Sequence, residues 1–237
     1  MPAPLVVHDG LGELVVVKPA GLPCEAPRDP AADSLLRRLA PLGPLLRLVH
    51  RLDAPACGLV LVARSAAAAA HYSQEIAARR WRKFYVARLA QSPAAARRLV
   101  GPHKAYLRAE GRTAQVVRSG GKPAFLDVLQ VAPAGQDGSH SHALIALHTG
   151  RFHQIRAMLA HLGAPLAGDT RYGGPATPAM YLEHVVLGAA TAAAGAWTVW
   201  QAPPHPDREL WDSGLTAAID AAAAQARTAP PPPASGR

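Results

Sequence analysis

The chain has 237 residues, a formal charge of +9 and a pI of about 10.2; 49% of its residues are hydrophobic and 5% aromatic. That length buries a substantial core, while two cysteines, Cys24 and Cys57, exclude a disulfide framework. The basic balance favours a polyanionic partner, nucleic acid before an anionic membrane.

The start of the chain, MPAPLVVHDG, has neither the basic nor the long apolar region of a signal peptide, and no apolar run reaches the length of a membrane span. A cytoplasmic protein with reduced thiols is expected. LVVHDG and ELVVVKPAGL read as two short strands separated by Gly10 and Gly12, and Lys-Pro-Ala-Gly marks a turn. DSLLRRLA (33–40) predicts a short helix capped by Asp33 or Ser34 and ended by Pro41 and Pro44. A loop containing His50-Arg51-Leu52-Asp53 follows, then the strand GLVLVAR.

Residues 65–80 predict a helix with Ser65 as N-cap. RKFYVARLA (82–90) reads as a strand, and 91–142 as a region holding a hairpin or insert. A strand over 142–150 then leads into a helix over 151–163 that stops at Gly163. Strands are expected at 180–187 and 196–201. The Ala- and Pro-rich segment 222–237 reads as a disordered tail after one domain, 1–221. Strands and helices mix without a strict βαβ rhythm, so the expected class is α+β with a largely antiparallel sheet.

Two segments carry charges in unusual places. His50-Arg51-Leu52-Asp53 lies between apolar runs, where an unpaired carboxylate is costly. Arg151, His153, Gln154 and Arg156 crowd a strand-to-helix junction, where free N–H groups already favour anions. The two suggest each other: a guanidinium beside a buried carboxylate favours its charged form, and a positioned carboxylate serves as nucleophile or base.

HRLD followed by GLVLVAR resembles a signature of the RluA-like family of pseudouridine synthases. TGRFHQIR (149–156), continued by HLGAPLAGD and RYGG, is similar to that family's second segment. KFYVARL (83–89) and VVVKPAGLP (15–23) match two more of its stretches, all in family order. The resemblance implies a pseudouridine synthase fold and isomerisation of uridine in ribosomal or transfer RNA, with no cofactor and no metal. It places Asp53 on the catalytic aspartate, Arg156 on the arginine that salt-bridges it, and Tyr85 on the tyrosine that stacks on the base. It puts Arg51 on the residue that enters the RNA when the nucleotide flips. RNA contacts are expected from His50, Arg51, Arg151, His153 and Gln154, and a monomer suffices.

The chain departs from the family pattern at Ala56-Cys57, where Thr/Ser-Ser is usual, at Val17 in place of asparagine, and at YLEHVVL (181–187). SHSHAL (139–144) with His148 has histidines but no complete ligand set, so it reads as a polar loop. Trp197, Trp200 and Trp211 read as core packing. The rivals are a non-catalytic RNA-binding homologue and a metal-dependent RNA hydrolase. Retention of Asp53, Tyr85 and Arg156 together opposes the first, and the lack of ligand spacing opposes the second.

Overall fold

A computed structural model describes residues 4–26, 32–135 and 137–228. In chain order the elements are β1 (Leu5–Asp9), β2 (Glu13–Lys18), α1 (Leu35–Leu39), β3 (Arg47–Leu48), β4 (Cys57–Ala63), α2 (Ala66–Ala77) and β5 (Arg82–Leu89). Then come α3 (Pro93–Ala96), β6 (Gly101–Glu110), β7 (Thr113–Val116), β8 (Lys122–Ala134), β9 (His140–Leu147), α4 (Gln154–His161), β10 (Leu182–Ala190), β11 (Trp197–Gln201) and α5 (Ser213–Thr228). Contacts divide the chain into two compact units. Among the described residues, unit 1 holds those within 4–82, 183–208 and 223–228, and unit 2 those within 83–182 and 209–222. No shift in composition marks this division of the single domain expected over 1–221.

Unit 1 is a mixed sheet in the order β1-β2-β4-β10, with β3 added to β4 and β11 to β10. Its pairs are antiparallel except β4 with β10, which run parallel at Cys57 and Gly58. Gly58 is required there: with φ +104°, an added Cβ would lie 2.4 Å from the His184 carbonyl oxygen. β2 and β4 are buried along their whole length, as their unbroken Val/Leu runs require. Ser65 caps α2 by accepting from the Ala68 amide, and the helix lays Ala68 and Tyr72 on β4. Tyr72 is fully buried, and its hydroxyl donates to Glu13 and accepts from the Ala192 amide.

Unit 2 is an antiparallel sheet in the order β5-β9-β8-β6-β7. α4 supplies Ile155, Met158 and Leu159 to its core, and Gly163 stops the helix at φ +72° as expected.

Several expectations shift. Ser34, not Asp33, caps α1, while Asp33 pairs with Arg38. α4 begins at Gln154 rather than 151, because His153 takes a left-handed φ of +50° that ends the preceding turn. The SHSHAL segment is largely strand, not loop. Ser141 and His142 are buried, and the histidines diverge: His140 meets Ser139, His142 meets Glu209 and His148 meets Asp127. Residues 222–228, expected in a disordered tail, continue α5. Leu215, Ile219, Ala222, Ala223 and Ala226 recur at helical spacing and are buried, and alanine is the strongest helix former. The rest of that tail, 229–237, lies outside the described residues. Trp200 is a core residue, and Trp197 and Trp211 each donate an indole N–H, to the Ala226 carbonyl and the Tyr181 hydroxyl.

Candidate functional site

In unit 1, the loop between β3 and β4 carries His50, Arg51 and Asp53. Three tethers brace it. Lys18, wholly buried at the end of β2, donates to the carbonyls of Pro19, Leu22 and Ala54, the last at 3.1 Å. Cys24 bridges both backbone groups of Leu52 through its sulfur, each at 3.4 Å. His50 accepts the Leu61 amide at 2.9 Å and packs edge-on against Trp81. A turn then closes from the Ala56 amide to the Asp53 carbonyl. Asp53 is therefore a half-buried carboxylate on a short, fixed loop.

Burial pulls Lys18 down to about 8, opposed by the negative groups around it, Asp53 among them. His50, expected to contact RNA, spends one ring nitrogen on β4 and holds the loop. Arg51 stays out in solvent, with an exposed ion pair to Glu25 at 3.2 Å. Such a pair is worth little and exchanges readily for another anion.

In unit 2, β5 turns Lys83 and Tyr85 to the same side. Tyr85 is buried, and Lys83 is half-buried with its ammonium near the Thr149 carbonyl. Burial, and then the charge of Arg151, pull Lys83 down to about 8. Gln154 is also buried. Its oxygen accepts from the Thr149 hydroxyl and the Arg151 amide, and its nitrogen donates to the Phe125 carbonyl. It knits the junction together. Arg151 reaches the Pro123 carbonyl, and His153 stacks on Phe152 and meets the Tyr172 hydroxyl at 2.9 Å.

Arg156 is buried on α4. Its Nε and Nη2 meet Asp169 at 2.7 and 2.8 Å, and its guanidinium lies 5.0 Å from the Tyr172 ring centroid. Both charges are buried, so the fork-to-carboxylate pair fixes the guanidinium plane.

The family described as RNA pseudouridylate synthase matches residues 13–161, which include the Asp53 loop, Tyr85 and Arg156. The chain belongs to this family. It is 33% identical over 222 residues to an uncharacterized RNA pseudouridine synthase of Chloroflexus aurantiacus, across 88% of this chain and 63% of that protein. It is 32% identical over 168 residues to the dual-specificity RNA pseudouridine synthase RluA of Escherichia coli, across 70% of this chain and 76% of that one. The chain spans 42–63% of the length of the first four curated relatives it matches. Among solved structures, human RNA pseudouridylate synthase domain containing 1 has the same fold, with a TM-score of 0.69 at 23% identity, covering 92% of this chain and 95% of that one.

The departures from the family pattern fall on buried positions. Ala56 and Cys57 are 1% and 2% exposed and Val17 is 3% exposed, so small apolar groups fill the places of polar ones. Cys57 lies with Glu183 and His205 so that their ligand-type atoms come within 4.8 Å of one another. The Glu183 carboxylate is, however, already engaged by His205 at 2.9 Å and by Arg208. Burial, and then Glu183, push the Cys57 thiol up, away from the thiolate that a metal needs. The cluster is an ion-pair network at the start of β10.

Four residues with clear structural roles were not singled out by sequence reasoning: Lys18, Cys24, Lys83 and Asp169. Lys18, Lys83 and Asp169 lie inside the stretches that resemble the family. A buried lysine or aspartate leaves that much trace, but its partners are distant in sequence.

Proposed function

We propose that this chain isomerises uridine to pseudouridine in structured ribosomal or transfer RNA. The observation that carries the reading is a carboxylate on a loop braced by Lys18, Cys24 and His50, within a chain of the pseudouridylate synthase family. In the proposed reaction the target nucleotide leaves the stack, and Arg51 exchanges Glu25 for the RNA. Asp53 attacks or deprotonates the sugar as the C1′–N1 bond breaks. The uracil turns on the ring of Tyr85, carbon 5 bonds to C1′ as Asp53 either leaves C1′ or returns the sugar proton, and the proton lost from carbon 5 is balanced by one gained at N1. Arg156, oriented by Asp169, has the role that the family resemblance gives it, supplying positive charge that keeps the catalytic aspartate ionised.

Atoms and electrons balance within the nucleotide, so the reaction requires neither cofactor nor metal. Among the described residues no helix is long and apolar enough to cross a membrane. A cytoplasmic monomer working on RNA fits the reading. Arg151 and His153, at the junction before α4, hold the RNA backbone.

The test is pseudouridine mapping of cellular RNA with and without the gene, complemented by wild type or Asp53→Asn. A site that returns only with wild type supports the synthase. A binding homologue would leave no site changed, while Asp53→Asn would keep RNA affinity. Activity that EDTA abolishes would favour a hydrolase.

A further inference from the structure

The β6–β7 hairpin and β8 present two unlike faces. On one side Leu107, Ala114, Ala124 and Leu126 are buried. On the other, Pro102, Lys104, Tyr106 and Arg108 alternate along β6 and are exposed. Register sets Lys104 opposite Phe125, Tyr106 opposite Pro123, and Arg108 opposite Gln115. The Lys104 ammonium lies 5.6 Å from the Tyr106 ring centroid and 5.7 Å from that of Phe125.

Residues 101–122 carry Lys104, Arg108, Arg112, Arg118 and Lys122 against the single acid Glu110. On this face the acids Glu110 and Asp127 lie at the two ends, Asp127 paired with His148, and Lys104 and Arg108 flank two aromatic rings at the centre. Cations beside aromatic rings are the pattern of a nucleic-acid groove. A protein partner would instead favour a desolvated apolar centre depleted of charge, and charged lysine and arginine occupy the centre here.

The face is also held still. The Ala114 amide donates to the Tyr172 hydroxyl at 2.7 Å, Arg171 donates to the Arg112 carbonyl at 2.7 Å, and Arg151 donates to the Pro123 carbonyl at 3.0 Å. Tyr172 is the ring beneath Arg156. The hairpin is thus tied directly to the Arg156 cluster.

We infer that this face docks the RNA strand flanking the target uridine. Lys104 and Arg108, about 13 Å apart along β6, hold backbone phosphates, and Tyr106 with Phe125 seats an unstacked base between them. The inference rests on the RNA reading above and assigns where the substrate lies outside the reacting nucleotide.

The experiment measures binding of a labelled mixed-sequence RNA stem-loop with single-stranded flanks to the full chain at several salt concentrations. Lys104→Ala with Arg108→Ala lowers the slope of log affinity against log salt by about two. Tyr106→Ala weakens binding roughly tenfold with the slope unchanged. Lys104→Arg, Arg108→Lys and Tyr106→Phe restore wild-type binding, which a folding defect at these positions would not predict. Unchanged affinity and slope in the alanine variants overturn the docking face.

Pseudouridine formation on unmodified transfer and ribosomal RNA transcripts is read in parallel. There the alanine variants raise KM more than they lower kcat. A wild type that forms no product, but loses RNA affinity on substitution, removes the synthase reading and leaves the docking face standing. An active wild type whose variants bind and turn over unchanged removes the docking face alone.

Discussion

Asp169→Asn keeps the size of the side chain but removes the charge facing Arg156. The backbone turn is untouched, because the Asp169 amide and carbonyl bond to Leu166, Tyr172 and Gly174 independently of the side chain. Asparagine can accept from one of the two guanidinium nitrogens now held at 2.7 and 2.8 Å, but turns an N–H toward the other. Arg156 and Asp169 are 5% and 3% exposed, so water does not replace the lost bond. Breaking a buried pair in this way costs about 3–5 kcal/mol. The retained acceptor puts the loss near the lower end, a fall in melting temperature of roughly 6–12 °C for a chain of this size. Differential scanning calorimetry reads this directly. The companion variant Arg156→Met with Asp169→Leu removes both charges and recovers most of the stability, because two apolar groups replace a desolvated pair. It does not recover pseudouridine formation if Arg156 has its proposed catalytic role. A single variant melting within about 2 °C of wild type would refute the reasoning, since it would mean that the buried pair is energetically silent.

Lys18→Met tests the bracing of the Asp53 loop: kcat falls while KM for RNA changes little, and an unchanged kcat would show that the tether at Ala54 is dispensable. The same variant has a pH signature. Lys18 sits at about 8 in the fold against its ordinary 10.5, so between these values the unfolded chain binds the extra proton. Wild-type stability relative to Lys18→Met therefore rises with pH across 8 to 10.5, by at most about 1.4 kcal/mol per pH unit; a flat difference in urea titrations contradicts it. Lys83 likewise sits at about 8 in the fold against its ordinary 10.5, so wild-type stability relative to Lys83→Met also rises with pH between these values; a pH-independent difference in urea titrations would contradict it. Cys24 and Cys57 are buried, with thiols pushed up by burial, so native protein resists a thiol reagent at pH 8 and reacts on unfolding; prompt labelling of the native chain would contradict this.

The strands of unit 1 and α2 were legible because their signals are local: unbroken Val/Leu runs in β2 and β4, and a serine cap before an alanine run. The start of α4 was misplaced because nothing in Arg151-Phe152-His153 announces a left-handed histidine, which the Tyr172 hydroxyl meets from nineteen residues away. The end of α5 was missed because alanine scores weakly as a core residue, yet Ala222, Ala223 and Ala226 are buried. At the site, residue types pointed to chemistry but not to burial. His50 and Gln154 stand in the motifs as polar side chains, and nothing in the sequence announces that they also fasten backbone groups. The Asp169 carboxylate that holds Arg156 was hidden for the opposite reason, being one acid in a glycine-rich turn with its partner thirteen residues upstream.

The two units differ in how much chain must exist before each is complete. The sheet of unit 2, β5 to β9, is finished by residue 147 and uses neighbours close in sequence. Unit 1 cannot pair β4 with β10 until residues 183–184 follow Cys57 and Gly58 by 126 positions, and such closures are slow. On a ribosome, where the chain lengthens by roughly 5–20 residues each second, the basic hairpin therefore takes shape seconds before the strand beside Asp53 has been made. On the proposed reading, a nascent chain gains its attraction for RNA before it gains its chemistry.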